Sequence, residues 1–285
     1  MQVTLERVTH TYQPGSPFQA TAMEDVCLTI REGEFLALIG HTGSGKSTLA
    51  QHINGLLRPT SGRVLLDGQD IHEKGFDKKA VRRQVGLVFQ YPEHQLFEET
   101  VFKDVAFGPK NLGWSAEEIS ARVTEALARV GLDPALSEKS PFELSGGQMR
   151  RAAIAGVIAM RPEMLVLDEP AAGLDPMGRE DMLALVRSFH QAGTSIVMIS
   201  HSMDDVARLA QRIIVMDQGQ VALDGPAEEV FQDAERLNQM DLDVPQVCKL
   251  SLRLREEGFD FPLCYRMEDA EKALAALLKG GKPHA

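Results

Sequence analysis

The run Gly40-His41-Thr42-Gly43-Ser44-Gly45-Lys46-Ser47-Thr48 has the residue types and spacing that hold a polyphosphate. A triphosphate packs several negative charges into a small radius, so it needs many donors there. Gly40, Gly43 and Gly45 lack a Cβ, which frees the backbone to curl and aim consecutive N–H groups inward. Lys46 reaches the β- and γ-phosphates as a point charge. The Ser47 hydroxyl is placed for a Mg²⁺ ion and Thr48 for the α-phosphate. This pattern works only between a strand and a helix.

A second chemical group lies far downstream. The apolar stretch Met164-Leu165-Val166-Leu167 ends in Asp168-Glu169. In an open parallel sheet, ligands bind at the carboxyl ends of strands. Asp168 is placed to hold Mg²⁺ through water, and Glu169 to polarise an attacking water. An acidic pair closing a strand is ordinarily a turn; the phosphate loop in the same chain shifts the reading to function. His201 follows the next apolar run. A lone histidine there is more often structural, yet its position suits a γ-phosphate contact. Leu144-Ser145-Gly146-Gly147-Gln148 precedes a helical pattern over 149–160, a second helix start suited to an anion. Tyr12 suits either stacking on a purine base or a plain surface position.

The elements that must position these groups are readable from pattern. Phe35–Ile39 is a continuous apolar run, as in a buried strand, and a helix over 46–55 follows with its positive dipole end at the loop. Residues 3–11 and 26–30 read as strands, with Arg31-Glu32-Gly33-Glu34 a hairpin-like connection into the phosphate-loop strand. Turns at 58–62 and at Asp67-Gly68 flank a strand at 64–66. Residues 85–89 form a strand that ends at Gln90, and 91–109 read as loop with scattered aromatics and acids. Ser115 caps a helix over 116–130, with Glu118 at the capping-box position. A helical subdomain over about 91–160 is thus inserted into an α/β core. A helix over 177–190, a buried strand at Ser195–Ile199 and a hairpin of 212–216 with 221–223 complete it.

Asp224-Gly225-Pro226 marks a boundary, giving a domain of 1–225 and a small, mainly helical extension of 226–285. Residues 244–257 align Val247, Leu250 and Leu254; residues 267–279 align Ala270, Leu274, Leu277 and Leu278. A core role and a dimerisation face both suit these stripes.

The chain has 285 residues, 44% of them hydrophobic, and a net charge of −11. That charge argues against a general nucleic-acid surface and against docking on anionic lipid. No apolar run approaches the about 20 residues of a membrane span. The opening MQVTLERVTH alternates like a strand and carries charge, unlike a secretory signal. Cys27, Cys248 and Cys264 lack zinc-ligand spacing and read as free thiols of a reducing compartment, which places the chain in the cytoplasm. Arg82-Arg83 and Arg150-Arg151 read as solvated faces or partner contacts.

Taken in order, Gly40 to Ser47, Gln90, Leu144 to Gln148, Leu165 to Glu169, Gly173-Leu174-Asp175 and His201 resemble the motif set of the ATP-binding-cassette (ABC) ATPases over about residues 1–230. The resemblance implies an α/β P-loop NTPase fold with a RecA-like core, an N-terminal antiparallel β subdomain and an inserted helical subdomain. It implies that Tyr12 stacks on adenine and that Gln90 touches Mg²⁺ and the attacking water. It implies that Ser145, Gly146, Gly147 and Gln148 grip ATP bound to an opposite subunit, with Asp175 at that interface and His201 as the switch histidine.

The stretch Phe89-Gln90-Tyr91-Pro92-Glu93-His94-Gln95-Leu96-Phe97, with Gly146-Gly147-Gln148-Met149-Arg150-Arg151, resembles the energy-coupling factor (ECF) ATPases of vitamin and metal-ion importers, in the second, CbiO-like form of two paired ATPases. The partners then implied are a sister ATPase in a heterodimer, an integral membrane scaffold (T component) and substrate-binding membrane proteins (S components). The place implied is the cytoplasmic side of the cell membrane. ATP and Mg²⁺ are the ligands implied, with Ser47, Gln90 and Asp168 at the metal and Glu169, Gln90 and His201 at the hydrolysis step. Ala171 departs from the Thr or Ser that many cassettes carry there, at a non-catalytic position. A dedicated cobalt or nickel importer with a homodimer of cassettes is an alternative. A non-transport cassette fits less well, because no long coiled coil splits the motifs and only one ATPase unit is present.

Overall fold

The computed structural model describes residues 1–280. Its strands are β1 (Val3–Tyr12), β2 (Ala20–Ile30), β3 (Phe35–Ile39), β4 (Ser61–Leu66), β5 (Gln69–Asp70), β6 (Val85–Val88), β7 (Met164–Asp168), β8 (Ser195–Ile199), β9 (Arg212–Asp217) and β10 (Gln220–Gly225). Its helices are α1 (Lys46–Ile53), α2 (Lys78–Gln84), α3 (Val101–Asn111), α4 (Ala116–Arg129), α5 (Gly146–Ile158), α6 (Pro176–Gln191) and α7 (Met203–Leu209), followed by α8 (Ala227–Val230), α9 (Ala234–Gln239), α10 (Gln246–Glu256) and α11 (Met267–Gly280). Residues 281–285, the end of the expected extension, lie outside the described residues.

The central sheet runs β10-β9-β3-β8-β7-β6. It is parallel from β9 to β6, with β10 an antiparallel edge. Its strand β3 is apolar at every position, and β7, β8 and β9 are apolar except at their ends, because both faces are covered. Phe35, Ala37 and Ile39 point into one core and Leu36 and Leu38 into the other. The second sheet, β2-β1-β4-β5, is antiparallel. Helix α1 lies between the two sheets, with Leu49 and Ile53 fully buried, each side chain contributing about 1.5–3 kcal/mol.

Three local expectations are corrected here. Strand β2 begins at Ala20, not at 26, because it stays paired with β1 as far as Tyr12–Ala20. Irregular register along that pair, with Arg7 and Asp25 at φ 51° and 50°, breaks the alternation that would have marked it. Residues 31–34 are not a hairpin, since β2 and β3 belong to different sheets. The second half of 91–109 is not loop but α3. Thr100 caps it by accepting from Lys103 N at 3.2 Å, and Val101, Val105, Ala106 and Pro109 form its buried stripe. Pro109 inside the helix hides the pattern. The capping box of Ser115 and Glu118 is present as expected.

In the tail, Val247, Phe261, Cys264 and Ala270 form a small core on which Leu254, Leu274 and Leu277 pack. Leu250 and Leu278 are exposed. Cys27, Cys248 and Cys264 are free. No helix among the described residues is long and apolar enough to cross a membrane.

Beneath the phosphate loop, the rings of His10 and His52 meet edge to face at 4.8 Å. His52 is fully buried, and neither of its ring nitrogens makes a hydrogen bond among the described residues. Burial, then the neighbouring His10 and His72, lower its pKa to about 4. The unfolded chain therefore binds the extra proton first as pH falls below about 6.5. Stability is full above that pH and declines towards pH 4, by on the order of 3 kcal/mol. Thermal melts at stepped pH are expected to show this acid limb and to show it flattened in His52→Leu. An unchanged limb would remove His52 as its source.

Candidate active site

The phosphate loop joins β3 to α1, as its function requires. At Gly40, with φ 154°, an added Cβ would lie 2.4 Å from both the Met216 carbonyl oxygen and Ser44 Oγ. At Gly45, with φ 102°, it would lie 2.5 Å from the Ala22 carbonyl oxygen. Only glycine fits either place. The β9–β10 turn braces the loop: Gly219 N donates to Ser44 O at 3.2 Å, and His41 Nε2 lies 3.2 Å from Asp217 Oδ1. His41 Nδ1 also lies 2.8 Å from the Thr42 carbonyl oxygen. Gly43, at φ 86°, has open space where a side chain would stand.

Lys46 is buried and curls over this loop. Its Nζ donates to the carbonyl oxygens of Gly40 and His41, both at 2.8 Å, and to Ser44 Oγ at 3.4 Å. Burial lowers its pKa, against the pull of Glu169 and Asp168. Ser47 Oγ donates to Asp168 Oδ2 at 2.9 Å, tying the start of α1 to the end of β7. Burial raises the Asp168 pKa, opposed by that hydrogen bond and by Lys46. A hydroxyl and a carboxylate oxygen converging beside the loop are the hard oxygen donors that Mg²⁺ prefers, so these residues fit that ion. The Tyr12 hydroxyl shares a 3.1 Å hydrogen bond with Thr48 Oγ1, and its ring packs edge-on against His10. Tyr12 is thereby held half-exposed at the loop.

Glu169 occupies a left-handed backbone position, φ 51°, held by its N–H donating to Ile199 O at 3.1 Å. Such a conformation costs about 1–3 kcal/mol and is typical of functional sites. Burial, then the charge of Asp168, raise its pKa to about 7. His201 Nε2 lies 3.2 Å from Glu169 Oε1, off the hydrogen-bonding axis. Burial and Lys46 lower the His201 pKa, so the ring is neutral near pH 7. Gln90 stands exposed just past β6, the strand paired with β7.

The other expected residues stand apart. Ser145 caps α5 in a reciprocal box: Ser145 Oγ accepts from Gln148 N at 3.3 Å and Gln148 Oε1 from Ser145 N at 3.0 Å. Gln148 is thus engaged with its own helix. An added Cβ at Gly146 or Gly147 would meet open space, so their small size serves no contact within this chain. Asp175 caps α6, accepting from Gly178 N at 2.7 Å. Among the described residues, no hydrogen bond or ion pair joins the first turn of α5 to the phosphate loop.

Arg150 and Arg151 are not solvated faces. Arg151 Nη1 donates to Val130 O at 2.6 Å. Arg150 is 2% exposed and forms a two-point ion pair with Glu93. The signal in the sequence is a charged pair within one helix, directly before the apolar run Ala152-Ala153-Ile154-Ala155.

Two helix ends suited to anions on one chain, one fed by a phosphate loop and one standing open, are the layout of an ATP-binding cassette. The sequence profile described as "ABC transporter" matches residues 23–172. The energy-coupling factor transporter ATP-binding protein EcfA2 of Symbiobacterium thermophilum is 54% identical, over 99% of this chain and 98% of its own. The EcfA2 protein of Clostridium perfringens is 52% identical, over 98% and 99%. Among solved structures, CbiO1 of Clostridium perfringens, part of the ABC transporter complex cbiONQ, superposes with a TM-score of 0.72 at 37% identity, covering 90% of this chain and 96% of that one. The ATP-binding cassette MJ0796, a dimer bound to ADP and Pi, gives 0.70 at 31% identity, over 79% and 98%. The chain belongs to the ABC transporter ATPases, in their energy-coupling factor branch, and is an ATP-binding, ATP-hydrolysing subunit of that transporter type.

Proposed function

We propose that this subunit powers uptake of vitamins or metal ions by pairing with a second, different ECF ATPase against a T component and exchangeable S components. It then works as a peripheral protein on the cytoplasmic face of the cell membrane. The observation that carries the reading is the open start of α5, whose glycines serve no contact of their own chain. Residues 1–225 would act as the nucleotide-binding unit, with the helical subdomain over about 91–160 turned towards the membrane proteins. The 226–285 extension would add dimer contacts through Leu250 and Leu278, which are exposed.

In this reading the backbone of 40–45, Lys46 and Thr48 cradle the phosphates, and Tyr12 stacks on adenine. Ser47, Asp168 and Gln90 would hold Mg²⁺, whose charge offsets that of the phosphates. Glu169, with a proton affinity close to neutral, accepts the proton of the attacking water, and His201 positions the γ-phosphate. Ser145, Gly146, Gly147 and Gln148 grip the nucleotide of the partner, with Asp175 at the shared boundary. ATP then closes two cassettes on each other, and its hydrolysis lets them part.

The test is a tagged pull-down from membranes in mild detergent, with co-purifying proteins identified by mass spectrometry. A different cassette ATPase, a polytopic scaffold and several small membrane proteins are the expected recovery. Similarity to a cassette of the cbiONQ complex favours a second reading, a dedicated cobalt or nickel importer with a homodimer of cassettes. Recovery of this chain alone with one permease would select it.

A further inference from the structure

Arg150 lies one helical turn beyond Gly146, on the rod whose open end faces a partner nucleotide in the reading above. Its guanidinium joins three segments at once. Nε and Nη2 donate to the two Glu93 carboxylate oxygens at 2.9 and 2.7 Å. Nη1 donates to the carbonyl oxygens of Pro170 at 3.3 Å and Ala172 at 2.7 Å. Glu93 stands in the short turn of helix just after Gln90, and Pro170 directly follows Glu169. Burial, the largest single influence on Glu93, pushes its pKa up, yet the hydrogen bond from Arg150, a backbone hydrogen bond and the charges of Arg150 and His94 together outweigh it and hold the carboxyl below its usual value. A buried, planar, two-point pair with two further carbonyl acceptors fixes direction as well as distance. A displacement of α5 therefore carries both loops with it.

We infer that Arg150 is a positioning residue that couples the anion-binding start of α5 to Gln90 and Glu169 of the same chain, so that ATP gripped in the partner's site adjusts hydrolysis in its own. The coupling rests on the proposed role of the α5 start. It gives two ATP sites a physical link that neither nucleotide provides, and it predicts cooperative hydrolysis that depends on one side-chain pair.

The test compares Arg150→Lys, Glu93→Gln and the double variant with the parent, each as the full chain purified with its partner subunits. Lysine keeps the charge but loses the fork. Glutamine keeps shape and one acceptor, and a thermal melt checks that the variant is folded. Turnover is expected to fall roughly 3- to 30-fold. The Hill coefficient for ATP is expected to drop to about 1, the value for uncoupled sites. Affinity for a fluorescent ATP analogue should stay as in the parent, and the double variant should be no worse than the more affected single one. A parent-like Hill coefficient in folded Glu93→Gln overturns the inference. So does a parent coefficient of about 1, because uncoupled sites leave Arg150 nothing to transmit. Equal losses of affinity and turnover with cooperativity intact also overturn it, reducing the pair to a fold contact. Ser145→Arg tests the underlying reading separately. If turnover survives that change, the α5 start does not act on a partner nucleotide; if turnover is lost while Glu93→Gln stays cooperative, only the coupling fails.

Discussion

Glu169→Gln is expected to lower ATP turnover by about 100- to 10,000-fold while leaving ATP binding in place. The substitution is close in shape, so the left-handed backbone at 169 and its bond to Ile199 O survive. What it removes is the proposed proton acceptor. Glutamine also removes the charge that Asp168 opposes, which favours rather than hinders a bound triphosphate. A variant that binds but does not cleave should accumulate as a closed pair of cassettes with ATP and Mg²⁺, visible as an earlier peak in gel filtration. Turnover equal to the parent would take Glu169 out of the hydrolysis step.

Lys46→Ala acts one step earlier. The ammonium is buried on neutral carbonyl oxygens, with Glu169 and Asp168 its opposing charges. Removing it would delete the proposed charge-assisted contact to the phosphates and leave Glu169 and Asp168 without its opposing charge. A contact of that kind is worth about 1.5–3 kcal/mol, so ATP should bind roughly 10- to 150-fold more weakly. Titration calorimetry measures it directly. The fold should persist, because α1 is held by Leu49, Ala50 and Ile53 and not by Lys46. Parent-like affinity would end the phosphate-loop assignment.

The two variants would separate binding from chemistry, and the patterns that single out both residues are legible in the chain. The phosphate loop, β3, β7 with Asp168-Glu169, and the Ser115 cap are short-range patterns. Each is decided by neighbours within a few positions, so sequence spacing carries it. The misses have a common origin in distance along the chain. The pairing of β2 with β1 runs across irregular register, and the burial of Arg150 depends on Glu93 and on the carbonyls of Pro170 and Ala172. Helix α3 was hidden locally by Pro109, but its buried stripe is set by the helices packed on it. The side-chain roles of Tyr12 and Gln148 were also incomplete in sequence, because their hydrogen bonds to Thr48 and to the backbone of Ser145 appear only once the chain is folded.

The cap on α5 bears on how such a machine resets. Ser145 and Gln148 answer each other's backbone N–H before any nucleotide arrives. The cap answers only the N–H groups of Ser145 and Gln148, and those of Gly146 and Gly147 are left to water or to an anion. In the proposed closed pair, those two N–H groups are where a γ-phosphate would add attraction between cassettes. Loss of the γ-phosphate would then remove that contribution and favour parting without a separate device to force it.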